Sequence, residues 1–163
     1  MALALMGRGI GPGDVLSTTA VTCFATGGCS ARVGARPVFV EIEPHSFSLA
    51  GALVKAAITP RTKTIMPVHL YGQMGDMAAL QAVAGEIPII EDAAQALGAG
   101  PEGARAGSVG TFGCFSFFPS KNLGGFGDGG LVTTQDQALA ERARMLRGHG
   151  AKPKYFHAHI GGN

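Results

Sequence analysis

Short apolar runs rich in β-branched residues alternate with segments of helical spacing along most of this chain. Strand signals stand at residues 15–18, 38–42, 64–70, 87–90, 112–117 and 131–134. Helical spacing of apolar residues stands at 23–33, 49–58, 77–84 and 135–147. Residues 2–6 read as the end of a further helix, halted by Gly7 and Gly9. Asp76 is placed to cap the helix at 77–84, and the helix at 135–147 ends on basic residues, as the helix dipole favours. Such alternation predicts βαβ units and a mainly parallel sheet. The run Ile87-Pro88-Ile89-Ile90 is apolar throughout, which predicts a sheet covered on both faces. The expected fold class is therefore α/β, with a mainly parallel sheet between helices. In sheets of this kind ligands sit beyond the carboxyl ends of the strands. The residues that end strands are the ones to read for chemistry.

Composition narrows the class of partner. Hydrophobic residues make up 46% and charged residues 15%, the balance of a packed domain and the reverse of a disordered chain. The 26 glycines show no three-residue period, which excludes collagen. A net charge of +2 without a Lys/Arg run excludes a nucleic-acid or membrane-surface footprint. Every apolar run is too short for a membrane helix, and the first residues lack the basic leader and cleavage site of a signal peptide. The three cysteines, Cys23, Cys29 and Cys114, are odd in number and lack C-x-x-C spacing, against a disulfide framework or zinc knuckle. A reducing cytoplasm is expected, with Cys29 and Cys114 as small buried apolar side chains.

Two segments carry candidate chemistry. Asp92 follows an apolar strand, so its carboxylate belongs at the carboxyl edge of the sheet, where it can hold a positive charge on a ligand. A structural alternative competes: Asp92 with Gln95 three residues on has the look of a helix cap with a capping-box partner, and that segment alone favours the cap. The second segment is SFFPSKNLGGFGDGG, from Ser116 to Gly130. Its single lysine, Lys121, follows a strand and precedes a glycine-rich stretch. A partly desolvated lysine has a neutral amine able to attack a carbonyl, and glycines let backbone approach a ligand closely. The competing reading is a surface lysine in a flexible loop. The phosphate-loop motif is absent, because Lys121 precedes the glycines, and a dinucleotide fingerprint fits poorly, because the glycines lead into a strand. Together the two segments match what an aldehyde cofactor with a ring nitrogen requires: an amine for the Schiff base and a carboxylate for the ring N–H.

At this point the chain resembles the DegT/DnrJ/StrS family of pyridoxal-phosphate-dependent sugar aminotransferases. The stretches GIGPGD, VTCFATGG, GARPVFVEI, ITPRTKTIMPVHLYGQ, IPIIEDAAQALGA, GTFGCFSFFPSKNLGGFGDGG and IGGN stand in the family's order and cover essentially the whole chain. The resemblance implies the three-layer α-β-α large domain of fold-type I aminotransferases over residues 1–163, without the smaller second domain that follows it in the family. It implies pyridoxal 5'-phosphate as cofactor, glutamate as amino donor, a keto sugar linked to a nucleotide as acceptor, and a homodimer. By the same resemblance Lys121 matches the Schiff-base lysine that also moves the substrate's Cα proton. Asp92 matches the partner of the pyridine nitrogen, Gln95 the residue near the phenolic oxygen, and Ser116 a phosphate-binding hydroxyl. Asn163 matches an asparagine lent to the neighbouring subunit's phosphate site. Cys23 falls where many relatives carry an aromatic ring stacked on the cofactor. Relatives with histidine at the lysine position act as dehydratases, so Lys121 implies transamination. The family's Gly-Thr/Ser phosphate contact is expected upstream of residue 2. The alternative reading is a truncated non-catalytic piece, or a cofactor-binding module, of that family.

Four further residues draw weaker expectations. His69 and Tyr71 follow a strand and either face the pocket or, for His69, serve as a satisfied structural histidine. His157 and His159 have the spacing of a metal pair but no third ligand nearby, which favours a solvated loop.

Overall fold

A computed structural model describes residues 1–162, and Asn163 lies outside the described residues. In order the elements are α1 (Ala2–Gly7), β1 (Val15–Thr19), α2 (Phe24–Arg32), β2 (Arg36–Val40), α3 (Gly51–Ala57), β3 (Thr62–Met66), α4 (Met77–Ala84), β4 (Ile90–Asp92), β5 (Phe112–Ser116), β6 (Gly130–Thr133) and α5 (Gln137–Arg147). The strands form two ladders, β2-β1-β3 and β4-β5-β6. Parallel bridges Ile65–Ile89 and Val68–Asp92 join them, so β3 and β4 lie side by side. The chain of hydrogen bonds continues there: Asp92 N donates to Pro67 O at 2.9 Å and His69 N to Asp92 O at 2.9 Å. Among the strands of the described residues only β6 runs antiparallel, returning from the edge where Ser116 pairs with Gly130.

Alternation along the strands sorts side chains into two cores. Met66, Ile90, Phe112 and Leu16 pack with Leu5 of α1, Cys29 of α2 and Ala143 of α5. Ile65, Ile89 and Val40 pack on the other face with Val54 of α3 and Leu80 of α4. The result is the expected α-β-α sandwich. At α4 the local signal is sufficient: Asp76 accepts from Ala79 N at 2.9 Å, and the helix runs over the residues its spacing predicts.

Several expectations are corrected. The strand expected at 64–70 is β3, Thr62–Met66. The strand expected at 38–42 starts two residues earlier, because parallel pairing begins at Val15–Arg36 and draws Arg36 and Pro37 into the ladder. Asp92 does not follow β4 but ends it, paired with Cys114. No helix starts at Asp92, so the capping reading fails. Residues 93–111 cross from β4 to the parallel β5 through turns, not through the usual helix.

Candidate functional site

Five strands run parallel, so their carboxyl ends share one edge of the sheet. Asp92 and Ser116 both close their strands there. The β4–β5 register sets Asp92 opposite Cys114, which puts Ser116 two residues further along the neighbouring strand. The Ser116 hydroxyl oxygen accepts from Phe118 N at 3.3 Å, which leaves its proton available to a ligand. The chain then turns, Lys121 N donating to Phe118 O at 2.8 Å. Lys121 is half-buried and takes part in neither of the two ion pairs among the described residues.

The glycines after Lys121 divide by cause. A Cβ at Gly124 would collide with the Pro119 carbonyl, and one at Gly130 would lie 2.7 Å from Phe115 O. Contact with their own chain therefore requires these two, before any ligand is considered. Gly127 has φ 135° and open space around it.

Asp92 is 4% exposed. Its Oδ2 accepts from Thr26 Oγ1 at 2.7 Å and its Oδ1 from Ala94 N at 3.2 Å. A carboxylate has about four acceptor positions. Among the described residues two are used, so Asp92 retains acceptor capacity at the strand edge. A buried carboxylate with open lone pairs suits a cationic N–H, as of a pyridinium ring.

Gln95 reaches the loop after β3. Its Oε1 accepts from Tyr71 N at 3.1 Å. With its carbonyl so engaged, its amide nitrogen is left to donate. Tyr71 holds φ 51°, a conformation uncommon for a bulky side chain, and its ring stands exposed beside this contact. Cys23 is exposed and occupies the N-cap of α2, but its side chain makes no capping hydrogen bond. It borders an apolar cavity of about 340 Å³ with Phe24, Pro37 and Phe39. The three thiols are free. Burial pushes the Cys29 thiol up to about 11, and Cys114 shifts in the same direction for the same reason.

His69 resolves as structural. It is fully buried, with Nε2 2.8 Å from Glu91 Oε2 and Nδ1 accepting from Gly75 N at 3.2 Å. An acceptor at Nδ1 leaves the proton on Nε2, which donates to Glu91. The Glu91 carboxylate also accepts from Gly107 N at 2.7 Å, Val109 N at 2.9 Å and Gly110 N at 2.5 Å. Burial alone would raise its carboxyl; the His69 hydrogen bond and the Gly110 and Gly107 amides outweigh this and hold it below the ordinary glutamate value. Neither Glu91 nor Thr26 stands out in sequence. The available signal for Glu91 is an acid inside an apolar strand, which demands a buried partner. His157 Nδ1 donates to His149 O at 3.0 Å, and no group of three metal-binding side chains exists among the described residues. None of the described helices is long and apolar enough to cross a membrane.

Comparison with known proteins bears on the same chain. It matches the DegT/DnrJ/EryC1/StrS aminotransferase family over residues 1–163. It is 54% identical over 163 residues to a pleiotropic regulatory protein of Geobacillus stearothermophilus, an alignment covering 99% of this chain and 44% of that protein. It is 46% identical over 165 residues to the UDP-2-acetamido-2-deoxy-3-oxo-D-glucuronate aminotransferase of Pseudomonas aeruginosa, covering 100% of this chain and 46% of that one. Among solved structures, S. venezuelae DesV in complex with a ketimine intermediate matches with a TM-score of 0.94 and 49% identity, covering 99% of this chain and 44% of that chain. The chain spans less than half the length of each of these relatives. With a family match that extends over all its residues, the chain belongs to the DegT/DnrJ/EryC1/StrS aminotransferase family.

Proposed function

We propose that residues 1–163 form part of the large, cofactor-binding domain of a pyridoxal-phosphate-dependent aminotransferase that moves an amino group from glutamate to a keto sugar linked to a nucleotide. The observation that carries this reading is the buried Asp92 carboxylate, with acceptor capacity to spare, on the strand beside the one that leads to Lys121. When bound, the cofactor would supply an electron-accepting ring for the charge left as a substrate Cα–H bond breaks.

The chain's own residues divide that work. Asp92 would accept from the ring N–H and hold the proton there. Lys121 would offer the amine that meets the aldehyde and would carry the proton lost and regained at the substrate carbon. Ser116 would donate its free hydroxyl proton to the phosphate. Gln95, its carbonyl tied to Tyr71 N, has amide N–H groups left to donate to the phenolic oxygen. Cys23 would take the place of an aromatic side chain beside the ring. Asn163 would serve the phosphate site of a neighbouring subunit in a homodimer. The free thiols support a reducing cytoplasm as the setting.

The test is to incubate the protein with pyridoxal phosphate, reduce with borohydride and map the modified peptide. Label on Lys121, and its loss in Lys121→Ala, are expected. Label elsewhere, or none, would overturn the reading. A second reading, a cofactor-binding module without turnover, draws support from the regulatory name of the 54% identical relative. Glutamate separates the two: an absorbance change of the bound cofactor on adding glutamate belongs to the enzyme, and an unchanged spectrum to the module.

A further inference from the structure

The Asp92 carboxylate is not held by β4 alone. Thr26, in the first turn of α2, is fully buried, and its Oγ1 lies 2.7 Å from Asp92 Oδ2. Thr22 Oγ1 lies 2.7 Å from Thr26 Oγ1. Charge fixes the direction of both contacts. An ionised carboxylate only accepts, so Thr26 donates its single proton to Asp92. The proton between the two hydroxyls must then come from Thr22. The result is a one-way chain of donors, Thr22 to Thr26 to Asp92, that ends on the carboxylate. The N-terminal end of α2 adds a favourable dipole on the same side.

We infer that Thr26, backed by Thr22, is a positioning residue for the cofactor's ring-nitrogen partner. This rests on the function proposed above. The Thr26 hydroxyl sets the orientation of Asp92. The remaining lone pairs are thereby presented to a cationic ring N–H. Without that hydroxyl, Oδ2 loses its donor in a place water scarcely reaches, and the carboxylate turns aside. That change weakens the hold on a ring that carries N–H and leaves a ring without nitrogen unaffected. Thr26 touches no reacting atom; it acts through Asp92.

That ligand dependence separates positioning from general support of the fold. Wild-type protein, Thr26→Val, Thr26→Ser and Thr22→Val are titrated with pyridoxal phosphate and with its deaza analogue, in which CH replaces the ring nitrogen. For Thr26→Val the affinity for pyridoxal phosphate falls about tenfold, the scale of one hydrogen bond to a charged group. Its affinity for the deaza analogue stays at the wild-type value. Thr26→Ser, which keeps the hydroxyl, restores binding. Thr22→Val, at a half-buried position, shows the same ligand dependence at about two- to threefold, and this arm holds the inference to account if Thr26→Val fails to fold. Equal loss for both ligands, or no loss for either, overturns the positioning role. Wild-type protein that binds neither ligand overturns the proposed function, and the inference with it.

Discussion

Glu91 and Asp92 are sequence neighbours, both acidic and both buried, yet they face opposite sides of the sheet. Glu91 follows Ile89 toward the face covered by α3 and α4; Asp92 follows Ile90 toward the face covered by α2. The carboxylate of Glu91 accepts from His69 and from three backbone amides, which fills its acceptor capacity. The carboxylate of Asp92 accepts from Thr26 and Ala94 and has room left. A filled carboxylate serves the fold; one with room is free to serve a ligand, the role proposed for Asp92. The same strand therefore supplies both, one residue apart.

The contrast breaks most visibly at Glu91. Glu91→Ala leaves His69 and the amides of Gly107, Val109 and Gly110 without an acceptor, and should lower unfolding stability by about 3–5 kcal/mol in a urea titration. A change near zero would show that the crossover from β4 to β5 stands without it. Next in size is Gly107→Ala. Gly107 donates to Glu91 at φ 82°, and a Cβ there runs into the Phe115 ring, so a loss of about 2 kcal/mol is expected by the same measurement.

Acid sharpens the comparison further. Glu91 titrates below its ordinary value in the folded chain, so its contribution is fully present above the reference value of 4.5. It is lost as pH falls through the folded value, because the unfolded chain then binds more protons. Unfolding midpoints measured across that range should drop toward acid, and Glu91→Gln should flatten the drop. An unchanged acid limb in Glu91→Gln would assign the pH dependence to other carboxylates. The smallest effect on stability belongs to the ligand side. Lys121→Ala should stay within about 0.5 kcal/mol of wild type, although it removes the borohydride-fixed label. A large loss of stability would make Lys121 part of the fold.

Local signals made some of this legible. Asp76 and the apolar spacing after it determine α4, because a cap and a face are read within a few residues. The apolar strands indicate a covered parallel sheet, and the family's motifs single out Asp92 and Lys121. The crossover at 93–111 was not legible, since its backbone amides are met by a side chain from the preceding strand instead of by a helix. The capping look of Asp92 and Gln95 misled for the same reason. Asp92 accepts locally from Ala94 N, but its shorter bond comes from Thr26, and Gln95 meets Tyr71 N, both distant in sequence. Part of the glycine excess also has a cause that composition conceals, the collision of any Cβ at Gly124 with the Pro119 carbonyl.

The difference between the two acids is tested most directly by titrating pyridoxal phosphate into Asp92→Asn beside the wild-type protein. The carboxamide keeps the size of the side chain and removes the charge. The account predicts binding weaker by about a hundredfold, the upper range for a hydrogen bond between charged partners. Wild-type affinity in Asp92→Asn would contradict it.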